Sequence, residues 1–117
     1  MKFNWITMHV KDLDRSAAFY GEYLGMKLAR EFTQPGGRHF KFFEAENGMQ
    51  VELIGGDGET VSAANLSMGV AVKNYDELLA RAREEGIING EPRVLGGNLE
   101  CFFAMDPDGV RVQIARG

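Results

Sequence analysis

The chain has 117 residues, a formal charge of −4 and one cysteine, Cys101. That length sets one compact domain as the prior, and the single thiol excludes an internal disulfide and suits a reducing, cytoplasmic compartment. No basic run, no membrane-length apolar stretch and no signal-peptide opening are present, so neither nucleic acid nor membrane is an expected partner.

Trp5 to Val10 reads as a strand, with Ile6, Met8 and Val10 on one face and Trp5, Thr7 and His9 on the other. Asp12 caps a predicted helix from about Leu13 to Leu24, whose stripe is Leu13, Ala17, Tyr20 and Leu24. Gly25 ends it in the left-handed conformation. A strand near Lys27–Thr33 follows, and Pro35-Gly36-Gly37 breaks it. Asn47-Gly48 then signals a hairpin with a two-residue loop. That loop pairs Phe43 with Glu52 and Lys41 with Ile54. It puts Phe40, Phe42, Val51 and Leu53 on an apolar face, and His39, Lys41, Phe43, Gln50, Glu52 and Ile54 on a mixed one. Gly55 to Glu59 is read as a flexible connector.

The plan then starts again. Leu66 to Val72 is a strand, and Asn74 with Glu77 makes a capping box for a helix whose stripe is Tyr75, Leu78, Leu79 and Ala82. Gly86 ends it, and a short strand near Pro92–Leu95 precedes the last hairpin. There Asp106-Pro107-Asp108-Gly109 predicts a type I turn with a G1 bulge, pairing Met105 with Arg111 and Phe103 with Gln113. Phe102, Ala104, Val112 and Ile114 form its core face. Cys101, Phe103, Met105, Arg111 and Gln113 form a mixed face suited to a ligand.

Val10-Lys11-Asp12-Leu13-Asp14 matches Val72-Lys73-Asn74-Tyr75-Asp76 at an offset of 62 (72 − 10). Met49-Gln50-Val51-Glu52 matches Val110-Arg111-Val112-Gln113 at an offset of 61 (110 − 49). The expected fold class is therefore α+β: two tandem βαβββ modules, about 1–56 and 64–117, within a single domain over 1–117. Curved mixed sheets surround a cavity, with one helix on the outer face of each module. The repeat makes Trp5 equivalent to Ser67, and Glu52 equivalent to Gln113.

Val10-Lys11-Asp12-Leu13-Asp14-Arg15-Ser16, Phe19-Tyr20, Leu24-Gly25 and Asp106-Pro107-Asp108-Gly109 resemble the vicinal oxygen chelate superfamily. That group includes glyoxalase I, extradiol dioxygenases, fosfomycin-modifying enzymes and bleomycin resistance proteins. The resemblance implies paired βαβββ modules, often assembled as homodimers. It also implies a divalent metal held at four strand positions, which fall here on Trp5, Glu52, Ser67 and Gln113. Only Glu52 is a good ligand among them, so no metal and no cofactor are expected.

The candidate ligand-binding residues are Trp5, Thr7, His9, His39, Phe43, Glu52, Ser67, Cys101, Phe103, Met105, Arg111 and Gln113. Glu52 is a candidate general base, or else the partner of Lys41 or Arg111 in an ion pair. His9 and His39 are strand-end polar residues, or an off-pattern metal site with Glu52 or Cys101. Trp5, Phe43, Phe103 and Met105 stack on a planar ligand or fill a cleft, and Arg111 clamps a carboxylate or phosphate or pairs with Glu52. Three functions follow from these alternatives: a small-molecule-binding protein of the bleomycin-resistance type, a glyoxalase-like enzyme using Glu52 or an off-pattern metal, or a regulatory or accessory module whose cavity is vestigial.

Overall fold

A computed structural model describes residues 1–117, which divide into two compact units, Met1–Ser62 and Ala63–Gly117. No helix is long and apolar enough to cross a membrane. The first unit contains β1 (Trp5–His9), α1 (Leu13–Ala17) continued by a π-helical turn (Ala18–Tyr23), β2 (Lys27–Thr33), β3 (His39–Glu44) and β4 (Gln50–Gly55). Its sheet order is β1-β4-β3-β2, with β1 parallel to β4 and the other pairs antiparallel.

Asp12 caps α1 as the sequence predicts, its carboxylate accepting from the Arg15 backbone N–H at 3.1 Å. The buried stripe differs from the predicted one. Ser16, Phe19, Tyr20 and Tyr23 are buried, while Leu13, Ala17 and Leu24 are only half-buried. The stripe is rotated by about one residue from the α1 segment onward, and the helix then passes into a π turn, in which the Leu24 N–H reaches back five residues to the Phe19 carbonyl at 2.9 Å. Within it Phe19 packs on both Tyr20 and Tyr23, with ring centroids 5.0 and 5.4 Å away. Gly25 then closes the helix at φ +76°, in the conformation expected of it.

The β3–β4 hairpin corrects the predicted register. Its loop has three residues, Glu46-Asn47-Gly48, closed by the Gly48 N–H on the Ala45 carbonyl and the Ala45 N–H on the Met49 carbonyl, both 2.9 Å. Gly48 takes φ +88°, so this is the type I turn plus G1 bulge predicted only for the second hairpin. Phe42 therefore pairs with Glu52, and Phe43 with Val51. A one-residue slip exchanges the faces of a whole strand. His39, Lys41 and Phe43 move to the helix side, while Phe40 and Phe42 move to the open side. Phe43 is 5% exposed and packs against Gly21 of the helix.

A bulge in β2 completes the open face. Leu28 pairs with Phe43 but Arg30 pairs with Phe42, leaving Ala29 as the extra residue. Beyond it Arg30 and Phe32 share the face of Phe42 and Phe40.

The second unit repeats the plan with β5 (Ser67–Val72), α2 (Tyr75–Glu84), β6 (Arg93–Leu95), β7 (Leu99–Met105) and β8 (Arg111–Arg116), in sheet order β5-β8-β7-β6. Its last hairpin has the predicted register, with Phe103 opposite Gln113 and Met105 opposite Arg111. Buried Asp106 fixes the turn, its Oδ1 accepting from the backbone N–H groups of Asp108 and Val110 at 2.8 Å each. Tyr75 and Leu78 of α2 bury against the Phe102, Val112 and Ile114 face, and Tyr75 meets Phe102 edge-on at 5.4 Å. Asn74 does not cap α2 through its side chain; its amide donates instead to the Glu77 carboxylate at 3.1 Å. Arg116 pins this helix to the sheet through Asp76 (2.9 Å) and Glu100 (2.8 Å), and lies over the Tyr75 ring. Its hydrogen bonds hold both carboxyls below their ordinary range.

The placement of Phe43 is testable at Gly21. A Cβ added there would stand 2.8 Å from the Phe43 ring. Alanine at an ordinary helix site gains about 1 kcal/mol over glycine, but overpacking costs about 1–3 kcal/mol. Gly21→Ala is expected to lower stability in urea melts, and pairing it with Phe43→Leu to recover part of the loss. A stabilising Gly21→Ala would place Phe43 back on the open face.

Candidate functional site on the open sheet faces

In each module one face of the sheet is covered by the helix, and the opposite face carries the residues with chemistry. On the first sheet they form three rows across the strands. The outer row is Trp5, Gln50, Glu44 and Lys27; the middle is Thr7, Glu52, Phe42 and Arg30; the inner is His9, Ile54, Phe40 and Phe32. Trp5 thus registers with Gln50, and it is Thr7 that lies beside Glu52. The Thr7 hydroxyl donates to Glu52 Oε1 at 2.6 Å, which holds the carboxylate in place. Lys41 is on the other face, so the expected Lys41–Glu52 pair does not form.

The phenylalanines make an aromatic floor. Phe32 stacks on Phe40 with centroids 4.6 Å apart and lies 6.3 Å from Phe42. Arg30 sits over both Phe32 (4.8 Å) and Phe42 (5.7 Å), and Arg38 sits over Phe40 at 5.1 Å. At the end of β1, His9 Nδ1 is 2.7 Å from Asp57 Oδ2, and Arg38 Nε is 3.6 Å from the same oxygen. The segment read as a flexible connector is therefore built. Asp57 forms an Asx turn by accepting from the Glu59 N–H at 3.0 Å, and the Val61 N–H bonds the His9 carbonyl at 2.7 Å. That Glu59 N–H is the main reason the Asp57 carboxyl lies below its ordinary range; partial burial opposes it, and His9 and Arg38 add to the lowering.

The open face of the second sheet carries Ser67, Gly69 and Ala71 on β5, Arg111, Gln113 and Ala115 on β8, Cys101, Phe103 and Met105 on β7, and Arg93 on β6. Cys101 is fully buried, and its sulfur accepts from the Gln113 amide at 3.5 Å. Arg93 and Arg111 both lie 5.6 Å from the centroid of Phe103.

Of the residues predicted to bind ligand, the open face of the first sheet holds Trp5, Thr7, His9 and Glu52, and that of the second holds Ser67, Cys101, Phe103, Met105, Arg111 and Gln113. Phe43 and His39 leave the set. His39 bonds Thr33 at 3.0 Å and lines a groove of about 540 Å³ beside the start of α1, with Lys11, Asp12, Glu31 and Lys41. Sequence reasoning missed Arg30, Phe32, Arg38, Phe40, Phe42, Asp57 and Arg93. The offset of 61 was the available signal for Phe42, because it superposes Phe42 on Phe103 (103 − 42).

The four positions implied for a metal do not make a donor set. Trp5 offers no lone pair, and its side chain is 55% exposed. Glu52 already accepts from Thr7, Gln113 directs its amide nitrogen to Cys101, and Ser67 supplies only a neutral hydroxyl. Within neither module do three His, Cys, Asp or Glu side chains converge.

The Asp57 carboxyl, whose pKa is lowered chiefly by the Glu59 N–H, carries a pH signature. A carboxyl with a depressed folded pKa stabilises the fold above its unfolded value, and that stabilisation is lost as pH falls through the folded value. Asp57→Asn is expected to be less stable than the parent at neutral pH, with the gap closing below about pH 4. Urea melts at both pH values measure this; a gap that persists in acid would assign the loss to geometry rather than charge.

Residues 2–114 match the sequence profile of the Glyoxalase/Bleomycin resistance protein/Dioxygenase superfamily. Lactoylglutathione lyase of Salmonella typhimurium is 31% identical over 117 residues, covering 92% of this chain and 86% of that protein. Glyoxalase I of Zea mays superposes with a TM-score of 0.83 at 27% identity, over 99% of this chain; the chain spans 44% of the maize protein. The trypanothione-dependent glyoxalase I of Leishmania major gives a TM-score of 0.78 at 27% identity, over 99% of this chain and 86% of that one. With two βαβββ modules and a profile match running through nearly its whole length, this chain belongs to the Glyoxalase/Bleomycin resistance protein/Dioxygenase superfamily.

Proposed function

We propose that this chain is a small-molecule-binding member of the superfamily, of the bleomycin-resistance type, that works without the family's metal ion. The donor set carries this reading: indole, hydroxyl and amide stand at three of the four implied ligand positions, and the one carboxylate is engaged by Thr7. The exposed indole of Trp5 and the arginine-topped phenylalanine floor supply what an organic ligand needs instead, namely flat apolar area with oriented charges at its edge. Purified protein is expected to hold no stoichiometric divalent ion. Elemental analysis finding about one zinc, nickel, iron or manganese per chain would sink the reading. Trp5→His restores one donor on the open face that carries Glu52 and is expected to give only weak metal affinity, because Ser67 and Gln113 still withhold two.

Trp5 is the only tryptophan, so its emission reports on one place. A planar or cationic ligand stacked on the indole gains on the order of 0.5–2 kcal/mol beyond burial. Hits from a fluorescence screen of small aromatic and drug-like compounds are expected to lose about three- to thirtyfold in affinity in Trp5→Ala, with the fold intact. Unchanged affinity by calorimetry would remove Trp5 from the site.

A second reading has its own observation. Asp57 fixes the His9 ring through Nδ1, and Thr7 orients Glu52 two positions along on the neighbouring strand. These are the ingredients of proton transfer, as a glyoxalase-like lyase or isomerase would use them, and relatives named lactoylglutathione lyase give it weight. Turnover of a hemithioacetal that disappears in Glu52→Gln would favour this reading over simple binding. Under either, β1 and β2 edge the first sheet and β5 and β6 the second, and we infer a homodimer that covers some of these edges in a cytoplasmic protein.

A further inference from the structure

Several arginines off the open faces have acidic partners: Arg116 has Asp76 and Glu100, Arg81 has Glu85, and Arg83 has Glu91. The open face of the second sheet is different. Arg93 and Arg111 each hold the guanidinium carbon 5.6 Å from the centre of one ring, Phe103. Arg93 stands in the row of Cys101 and Arg111 in the row of Met105, so the two flank Phe103 along the strand direction. Neither makes an ion pair within its module. The Arg93 Nε–H has only the Glu91 carbonyl, at 3.4 Å, and the Arg111 Nε–H is buried with no acceptor. The chain carries 17 acidic residues against 13 basic ones, so acids are available in excess and still none is used here.

A guanidinium laid on an aromatic face is held by the ring's quadrupole and keeps its planar fork of N–H donors free for an oxyanion. Space for a ligand body is present beside the pair. A Cβ built on Gly69 would meet no atom within 4 Å. Gln113 registers with both Gly69 and Phe103, and its amide nitrogen is turned to Cys101. The Ser67 hydroxyl shares the row of Arg111.

We propose that Arg93 and Arg111 form an anion clamp for a small ligand bearing a carboxylate, phosphonate or phosphate group, with its apolar body over Gly69. The proposal rests on the small-molecule reading and adds the ligand's charge and the module that recognises it. The buried Arg111 Nε–H without an acceptor and the exposed charge of Arg93 both favour an anionic ligand over a neutral analogue of the same size.

Phenylphosphonate and neutral benzyl alcohol are suitable probes, titrated into the full-length chain at low salt and followed by nitrogen-edited NMR. Phenylphosphonate is expected to move the Arg93 and Arg111 Nε–H signals and to bind at least about tenfold more tightly than benzyl alcohol. Arg93→Gln and Arg111→Gln are each expected to weaken phenylphosphonate about tenfold or more, and Arg111→Lys to fall between, keeping the charge but losing the fork. Arg81→Gln, which removes a paired surface charge, should leave binding unchanged. Arg93 is exposed, so Arg93→Gln decides the matter if the Arg111 variants fail to fold. Equal loss in Arg81→Gln, unchanged affinity in Arg93→Gln, or no phenylphosphonate binding overturns the clamp. Saturable benzyl alcohol binding in that last case leaves the small-molecule reading standing while the clamp falls.

Discussion

The register of two hairpins decides what each sheet shows on its open face. Both loops are closed by a glycine at positive φ, Gly48 at +88° and Gly109 at +82°, and both hold three residues. Because side chains alternate strictly along a strand, the residue at which the chain turns settles every residue behind it. Moving the first turn by one position would put Phe43 in the open and bury Phe42 and Phe40 beneath the helix. The observed register instead lays Phe42 beside Glu52 and Phe103 beside Gln113, so the two modules present an aromatic ring at equivalent places.

The fold was legible because its signals are redundant. Asp106 fixes its turn with two backbone acceptances, and Pro107 and Gly109 agree with it, so the second hairpin reads correctly from local chemistry alone. The first hairpin carries Asn47-Gly48, which by itself favours the two-residue loop and conflicts with the repeat. The offset of 61 that matched Met49 with Val110 also aligns Gly48 with Gly109 (109 − 48), and it contained the right loop length. Local turn preference is worth a fraction of what a misplaced core face costs, since burying a phenylalanine side chain contributes about 1.5–3 kcal/mol. The observed register seats Phe43 against Gly21, where the absent Cβ leaves room for its ring.

Much of the candidate site was hidden for a related reason. Arg30 and Phe32 reach the open face only through the bulge at Ala29, and no residue type in Leu28-Ala29-Arg30 announces a bulge. The π turn at Ala18–Tyr23 is equally silent in the sequence, and so is the burial of Ser16, Phe19 and Tyr23 in place of Leu13, Ala17 and Leu24. Asp57 looked like part of a solvated glycine-rich linker. Its role depends on the Val61 N–H bonding the His9 carbonyl, a contact between segments that periodicity does not report.

A duplicated fold lets two copies of one scaffold diverge under a shared geometry. In the first module the row beside the aromatic ring keeps a carboxylate, Glu52, and locks it with Thr7. The equivalent row of the second has Gln113 and Gly69, an amide and an empty place. The outer rows diverge in the same sense of charge, with neutral Gln50 in the first module and cationic Arg111 in the second. A metal site asks both modules for anionic or imidazole donors around one hard centre. The open face of the second module holds no carboxylate or imidazole, whereas that of the first holds Glu52 and His9, and both modules carry arginines over their rings. The first open face is mixed in charge, with Glu52 in the row of Arg30, and the second carries only cations, so two copies of one scaffold present different charge patterns.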